Sequence, residues 1–162
     1  MKPFLYYVDL IDGRMFFSIF HDIFSTYKYI NVKNKTVLDV GADFGFSPLF
    51  FIKEGAESVI AYSLDFQLFG LRNKKIKFHR KPWDGLSHNA LIGKFDCEGC
   101  EYITPVRWYF NAFESCYLAI HDRPMYHEQF LAYKKELDSN KNAKLIFTRE
   151  FEWMYLLNGD DE

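Results

Sequence analysis

The sequence predicts an α/β domain built on a mostly parallel sheet with an antiparallel C-terminal strand. Three observations carry that expectation. Short apolar, β-branched runs recur along the chain, as strands buried on both faces should. Helical stretches alternate with them, the pattern of a parallel sheet with crossover helices. The last two runs have almost no chain between them. A parallel crossover needs a dozen or more residues, so they must pair antiparallel.

In chain order, residues 1–33 are expected to form an N-terminal β-hairpin and a covering segment. The aromatic runs from Phe4 and from Met15 flank Asp12-Gly13, a strong turn signal. Residues 19–29 read as a short helix or a cover. The first main strand is Thr36–Val40. A glycine loop leads from it into a helix over Pro48–Glu54, with Ser47 as N-cap, Pro48 at the first helical position and Gly55 closing it. Strands follow at Ser58–Ser63, Lys75–His79 and Gly93–Asp96. A helix over Ile103–Phe113, a strand at Cys116–Ile120 and a helix over Pro124–Leu137 come next. Strands Lys144–Thr148 and Trp153–Leu157 close the chain. Residues 34–162 are thus the core of an expected single domain spanning 1–162.

With 49% hydrophobic and 20% aromatic residues, the 162-residue chain can bury a sizeable core. A net charge of -2 and dispersed basic residues lack the basic stripe of a nucleic-acid binder. No apolar run approaches the ~20 residues needed to cross a bilayer. The start, Met1-Lys-Pro-Phe, lacks a signal-peptide layout, so a cytoplasmic protein with no membrane partner is expected. The three cysteines are an odd count, which argues against a disulfide framework. Cys97 and Cys100 have C-x-x-C spacing, suited to half a zinc site or a redox pair. A second ligand pair at zinc-like spacing is missing, and packing is the favoured role for both.

The segment Val37-Leu-Asp-Val-Gly-Ala-Asp-Phe-Gly45 is the most informative stretch. Ligands of open α/β sheets bind beyond the carboxyl ends of the strands, where this loop sits. Its spacing is G-x-x-x-G, not the G-x-G-x-x-G of a dinucleotide binder. A strand-to-helix turn that merely needs glycine is the bland alternative. Asp39 counts against it, because a carboxylate inside an apolar strand needs partners. Loop amides or a cationic ligand could supply them.

Asn34 to Ser47 resembles motif I of S-adenosylmethionine-dependent methyltransferases, most closely in the FkbM family. Gly93-Lys-Phe-Asp-Cys-Glu-Gly-Cys-Glu101 resembles that family's lysine-aspartate-x-glutamate-glycine-x-glutamate segment after strand four. Phe20 to Tyr29 is similar to its lead-in, and His121 in Ala119-Ile-His-Asp122 sits where the family often carries a histidine. The similarity runs in order from about residue 15 to 157. It implies a compact, truncated Rossmann-like methyltransferase fold. It also implies S-adenosylmethionine as cofactor, with Gly41, Asp43 and Gly45 in contact with it and Asp39 supporting the loop.

Two departures matter. The family usually has an acidic residue at the end of strand two, where this chain has Ser63; Asp65 lies two residues on and is the alternative partner for the ribose. The stretch 80–92 is short, and Trp83 and Asp84 are candidates there for stacking on adenine and reaching its amino group. A tight turn with a packing tryptophan is the competing reading.

Asp96, Glu98 and Glu101 crowd the end of strand four, and His121 and Asp122 end strand five. Methyl transfer needs positioning and removal of a proton from an oxygen nucleophile. His121 is the expected base, since an imidazole titrates near pH ~6.5. Asp96 or Glu98 would orient the acceptor or meet the methionine ammonium. Glu101 reads as a carboxylate complementing a helix start. Asp96, Asp122 and His121 could alternatively hold magnesium, although no metal is the favoured expectation. The resulting expectation is O-methylation of a small-molecule or glycan hydroxyl. The alternatives are a non-catalytic binding or regulatory module on a degenerate scaffold, and an interaction protein. Exposed aromatics at the N-terminus would mark a partner or homo-oligomer surface.

Overall fold

The computed structural model describes residues 25–42, 45–64 and 73–159. The expected hairpin around Asp12-Gly13, Asp43 and Asp65 lie outside these residues, so the hairpin and the two aspartates are not placed. Seven strands form one sheet: β1 (Thr36–Val40), β2 (Ser58–Tyr62), β3 (Ile76–His79), β4 (Ile92–Phe95), β5 (Ser115–His121), β6 (Ala143–Arg149) and β7 (Glu152–Asn158). Their order is β3-β2-β1-β4-β5-β7-β6. The first five pair parallel, and β7 lies between β5 and β6, antiparallel to both. The reason is the one read from the sequence: the tight connection at Glu150-Phe151 cannot make a parallel crossover. A register shift between Leu145 and Phe147 marks a bulge in β6.

Helix α1 (Phe46–Lys53) covers one face, and α2 (Val106–Ala112) and α3 (His127–Ser139) contribute to the core on the other. Strand side chains alternate between these faces. Val37, Ile92, Tyr117 and Ala119 pack with Phe50 and Phe51 of α1. Leu38, Phe95, Leu118 and Ile120 pack with Tyr109, Phe110, Phe130 and Leu137. Both layers are rich in aromatic residues.

The helix starts differ from expectation. Gly45, left-handed at φ 84°, is the N-cap of α1, and the helix begins at Phe46. Ser47 does not cap, because its hydroxyl is drawn inward to Asp39. Pro48 is still within the first turn, where an N–H would have no intrahelical partner. The expected helix over Ile103–Phe113 is broken. A 3-10 turn spans Cys100–Ile103, and Thr104 is extended (φ -116°, ψ 150°), as a residue before proline prefers. The long helix likewise begins as a 3-10 turn, Pro124–Tyr126, before α3.

Candidate functional site

Period-two alternation puts Asp39, Lys94, Asp96, His121 and Glu152 on the α1 face. All lie at one edge, where β1, β4 and β5 end and the antiparallel β7 begins. The most buried of these are Asp39 and Lys94, opposite one another in the β1–β4 register. Lys94 Nζ lies 3.1 Å from Asp39 Oδ1 and donates to the Gly41 carbonyl at 2.6 Å. Ser47 Oγ donates to Asp39 Oδ2 at 2.6 Å. Burial pushes the Asp39 carboxyl up from its ordinary value, with Lys94 and Ser47 opposing. The ion pair therefore clamps the glycine loop to β4. Asp39 meets the loop only through Lys94, read simply as part of a strand, whose ammonium bonds the Gly41 carbonyl.

Gly41 has φ 81°, and a Cβ there would sit 1.7 Å from the Asp96 carbonyl oxygen. No side chain fits, so the β1 loop and the end of β4 can touch only through glycine. The Gly41 and Ala42 amides both donate to the Tyr62 carbonyl, at 2.9 and 3.0 Å, joining the loop to β2.

A second cluster ties β4 to β5. The fully buried Glu101 accepts from the Gly99 amide at 2.6 Å through Oε2. Its Oε1 accepts from the His121 amide at 3.1 Å and faces His121 Nδ1 at 2.9 Å. Glu101 is thus a first-turn carboxylate that accepts from the N-cap amide of Gly99 and, being buried, also braces β5 through His121. His121 Nε2 lies 3.5 Å from Asp96 Oδ1. Burial alone would lower the imidazole pKa, but Asp96 and Glu101 together raise it to about 10. Both ring nitrogens then carry protons near neutrality, and this arrangement does not supply the free base expected at His121. Asp96 is held below the usual carboxylate range: burial opposes this, but Lys94 and His121 prevail. Tyr27 donates to Asp96 Oδ2 at 3.3 Å from the segment before β1.

These groups border a cleft of about 580 Å³ whose lining includes Gly41, Ser63, Asp96, Cys97, His121 and Glu152. Glu98 also borders it, but its mostly exposed carboxylate accepts from Arg123 at 3.0 Å. Trp83 contributes to the wall while its ring packs against Phe95 and Trp108, with centroids 4.9 and 5.3 Å away. That supports the packing reading. Asp84 is already engaged by the Tyr62 hydroxyl at 3.0 Å and His88 at 2.9 Å, and would have to leave them to reach an adenine. Asp122, weighed as a magnesium ligand, instead meets His127 at 2.7 Å. Cys97 and Cys100 form a disulfide on the cleft wall, and Cys116 is free and buried. The odd count thus reflects one pair and one core thiol; a single bridge is not the framework that the count argued against, but the pair is bonded, which corrects the packing role given to it.

Glu152 was missed. Its signal was available: a β7 antiparallel to β5 brings the start of one to the end of the other. His121 and Glu152 are register partners. Burial raises the Glu152 carboxyl, and Asp96 adds to the effect.

No family model matches the sequence. "Uncharacterized protein 65" of a Sulfolobus islandicus filamentous virus is 34% identical over 84 residues, 47% of this chain. The chain spans about half of that relative, with 53% of its length covered. Solved structures align over far more. A provisionally named hemolysin from Lactococcus lactis superposes with TM-score 0.58 at 13% identity, covering 91% of this chain and 85% of that one. An rRNA methylase from Streptococcus thermophilus gives 0.56 at 12%, covering 86% and 93%. A provisionally named S-adenosylmethionine-dependent methyltransferase from Methanococcus maripaludis gives 0.53 at 14%, covering 89% and 85%. Among the described residues no helix is long and apolar enough to cross a membrane. With its strand order and single antiparallel strand, the chain has the Rossmann-like methyltransferase fold.

Proposed function

We propose that the cleft binds S-adenosylmethionine and that the chain transfers its methyl group to a hydroxyl of a small molecule or glycan. The observation that carries this reading is the glycine junction at Gly41, pressed against the end of β4 where no side chain fits. It seats the loop against β4 at the carboxyl ends of β1, β2 and β4, the edge where open α/β sheets bind ligands. The cleft volume falls within the ~300–1,000 Å³ of small-molecule sites. Among the charged residues that line the cleft, Asp96, Glu98 and Glu152 outnumber Lys81 and His121, a balance suited to a cationic ligand.

When bound, S-adenosylmethionine would supply a methyl carbon that an acceptor hydroxyl oxygen attacks as the carbon–sulfur bond breaks onto sulfur, the hydroxyl proton passing to water in the cleft. In this reading Gly41, Asp43 and Gly45 border the cofactor, and Ser63 or Asp65 meets its ribose. Lys94 fixes the Gly41 carbonyl. Asp96 presents Oδ1 to the cleft while Tyr27 holds Oδ2. His121, as a cation, positions Asp96.

The second reading, a binding module without transfer, is favoured by one observation: His121, the candidate base, is flanked by the Asp96 and Glu101 carboxylates, which favour its protonated form. Calorimetry with S-adenosylmethionine tests the shared premise; absence of heat at millimolar cofactor sinks both cofactor readings. Transfer of a labelled methyl group to a glycan or small-molecule panel then separates enzyme from module.

A further inference from the structure

We infer that Asp96, His121 and Glu152 form a binding site for a divalent transition-metal ion of the Zn²⁺ class. Their ligand atoms (a carboxylate oxygen, an imidazole nitrogen and a second carboxylate oxygen) all lie within 4.8 Å of one another. The three residues come from the ends of β4 and β5 and the start of β7, so the frame is set by the sheet rather than by a loop.

The spacing fits coordination better than hydrogen bonding. His121 Nε2 and Asp96 Oδ1 are 3.5 Å apart. That exceeds the ~2.7–3.2 Å of an ordinary N–H···O bond. Two ligands each ~2.1 Å from a tetrahedral ion would be about 3.4 Å apart. Glu152 needs a small side-chain movement to complete the set.

The outer partners are also in place. His121 is 4% exposed, and its Nδ1 faces buried Glu101 at 2.9 Å, leaving Nε2 directed at Asp96; the ion would displace the Nε2 proton that the ring otherwise carries near neutrality, so binding weakens as pH falls. A carboxylate on the far nitrogen is the usual support of a metal-bound histidine. Tyr27 and Lys94 are drawn to Asp96 Oδ2, and Oδ1 is the oxygen nearest His121. No ion pair or hydrogen bond to the half-buried Glu152 carboxylate is formed among the described residues. A half-buried acid beside another acid gains from a shared cation. All three ligands border the cleft, so a fourth position would open into it. An oxygen donor bound there would lose its proton more readily.

The inference concerns the metal alone and stands whether or not S-adenosylmethionine binds. The test is titration of the oxidised, cofactor-free full chain with Co²⁺, followed by displacement with Zn²⁺. One equivalent should bind with the visible spectrum of a tetrahedral N,O-site, without thiolate-to-cobalt charge transfer, and Zn²⁺ should remove it. Glu152→Gln should weaken binding at least tenfold. Glu101→Gln should weaken it about 10- to 100-fold, as loss of an outer partner does. Asp122→Asn should leave it unchanged. Circular dichroism checks that each variant folds, and Asp96→Asn replaces any that does not. No stoichiometric binding at millimolar Co²⁺, a thiolate spectrum, or retention of full affinity in folded Glu152→Gln or Asp96→Asn would overturn the site.

Discussion

Replacing Lys94 with methionine removes the ammonium that holds Asp39 at 3.1 Å and the Gly41 carbonyl at 2.6 Å. Asp39 is fully buried and keeps the Ser47 hydroxyl as its hydrogen-bond partner. Breaking a buried pair from one side typically costs about 3–5 kcal/mol. The cost has a ceiling, because Asp39 can take up a proton instead. From an unfolded value near ~3.9, protonation at pH 7 costs about 4 kcal/mol, at 1.36 kcal/mol per pH unit. The expected loss is therefore about 3–4 kcal/mol at pH 7, a fall in Tm of roughly 6–16 °C at about 2–4 °C per kcal/mol.

The sign of the pH dependence follows. In the variant the folded carboxyl pKa lies far above the unfolded one, so the folded state binds more protons, and stability relative to the parent falls as pH rises. Urea unfolding at pH 5 and pH 7 should show a smaller deficit at pH 5, by at most about 3 kcal/mol, because burial already raises the parent's Asp39 carboxyl. The double variant Asp39→Asn/Lys94→Met should recover most of the loss, since no unpaired charge remains. A Lys94→Met deficit under about 1 kcal/mol, or one independent of pH, would refute the clamp.

Other expectations follow from the same contacts. Gly41→Ala should lose about 1–3 kcal/mol from its positive φ alone, more because its Cβ meets the Asp96 carbonyl; thermal unfolding measures this, and an unchanged Tm would contradict the close approach. The Tyr117 hydroxyl accepts from the Tyr29 and Ile30 amides at 2.8 and 2.9 Å. Tyr117→Phe should therefore cost about 1 kcal/mol and speed hydrogen exchange at those two amides, whereas unchanged exchange would deny the tether. Burial acts upward on the Asp84 carboxyl, but Tyr62 and His88 hold it below its ordinary value. Its contribution is present above the unfolded pKa and lost as pH falls through the folded one, so the penalty of Asp84→Asn in urea unfolding should shrink below pH ~3.9; a constant penalty would reject the assignment.

The central strands were legible because β1, β4 and β5 are short apolar runs buried on both faces; β3 and β6, at the sheet edges, are only half covered. The antiparallel end followed from a connection too short for a crossover. The site was legible in part. Asp39 stood out as a charge in an apolar strand, and Gly41 as a glycine at a strand end. Lys94 did not, because a strand lysine ordinarily reads as solvent-facing, and its partner appears only when β4 is known to lie beside β1. Glu101 carries a helix-start signature, yet the turn buries it toward His121. His121 looked like a base because sequence shows the imidazole and not the two carboxylates that keep it charged. Tyr27 lies in an aromatic stretch without a clear period, so nothing in sequence aimed it at Asp96.

The central claim is that the glycine junction at the carboxyl ends of β1, β2 and β4 is a cofactor cleft. Amide chemical shifts recorded on adding S-adenosylhomocysteine test it most directly. Saturable shifts should concentrate at Gly41, Ala42, Gly45, Ser63, Asp96 and Cys97. No saturable shift at millimolar ligand, or shifts confined to the far ends of the strands near Ser58 and Ser115, would contradict it.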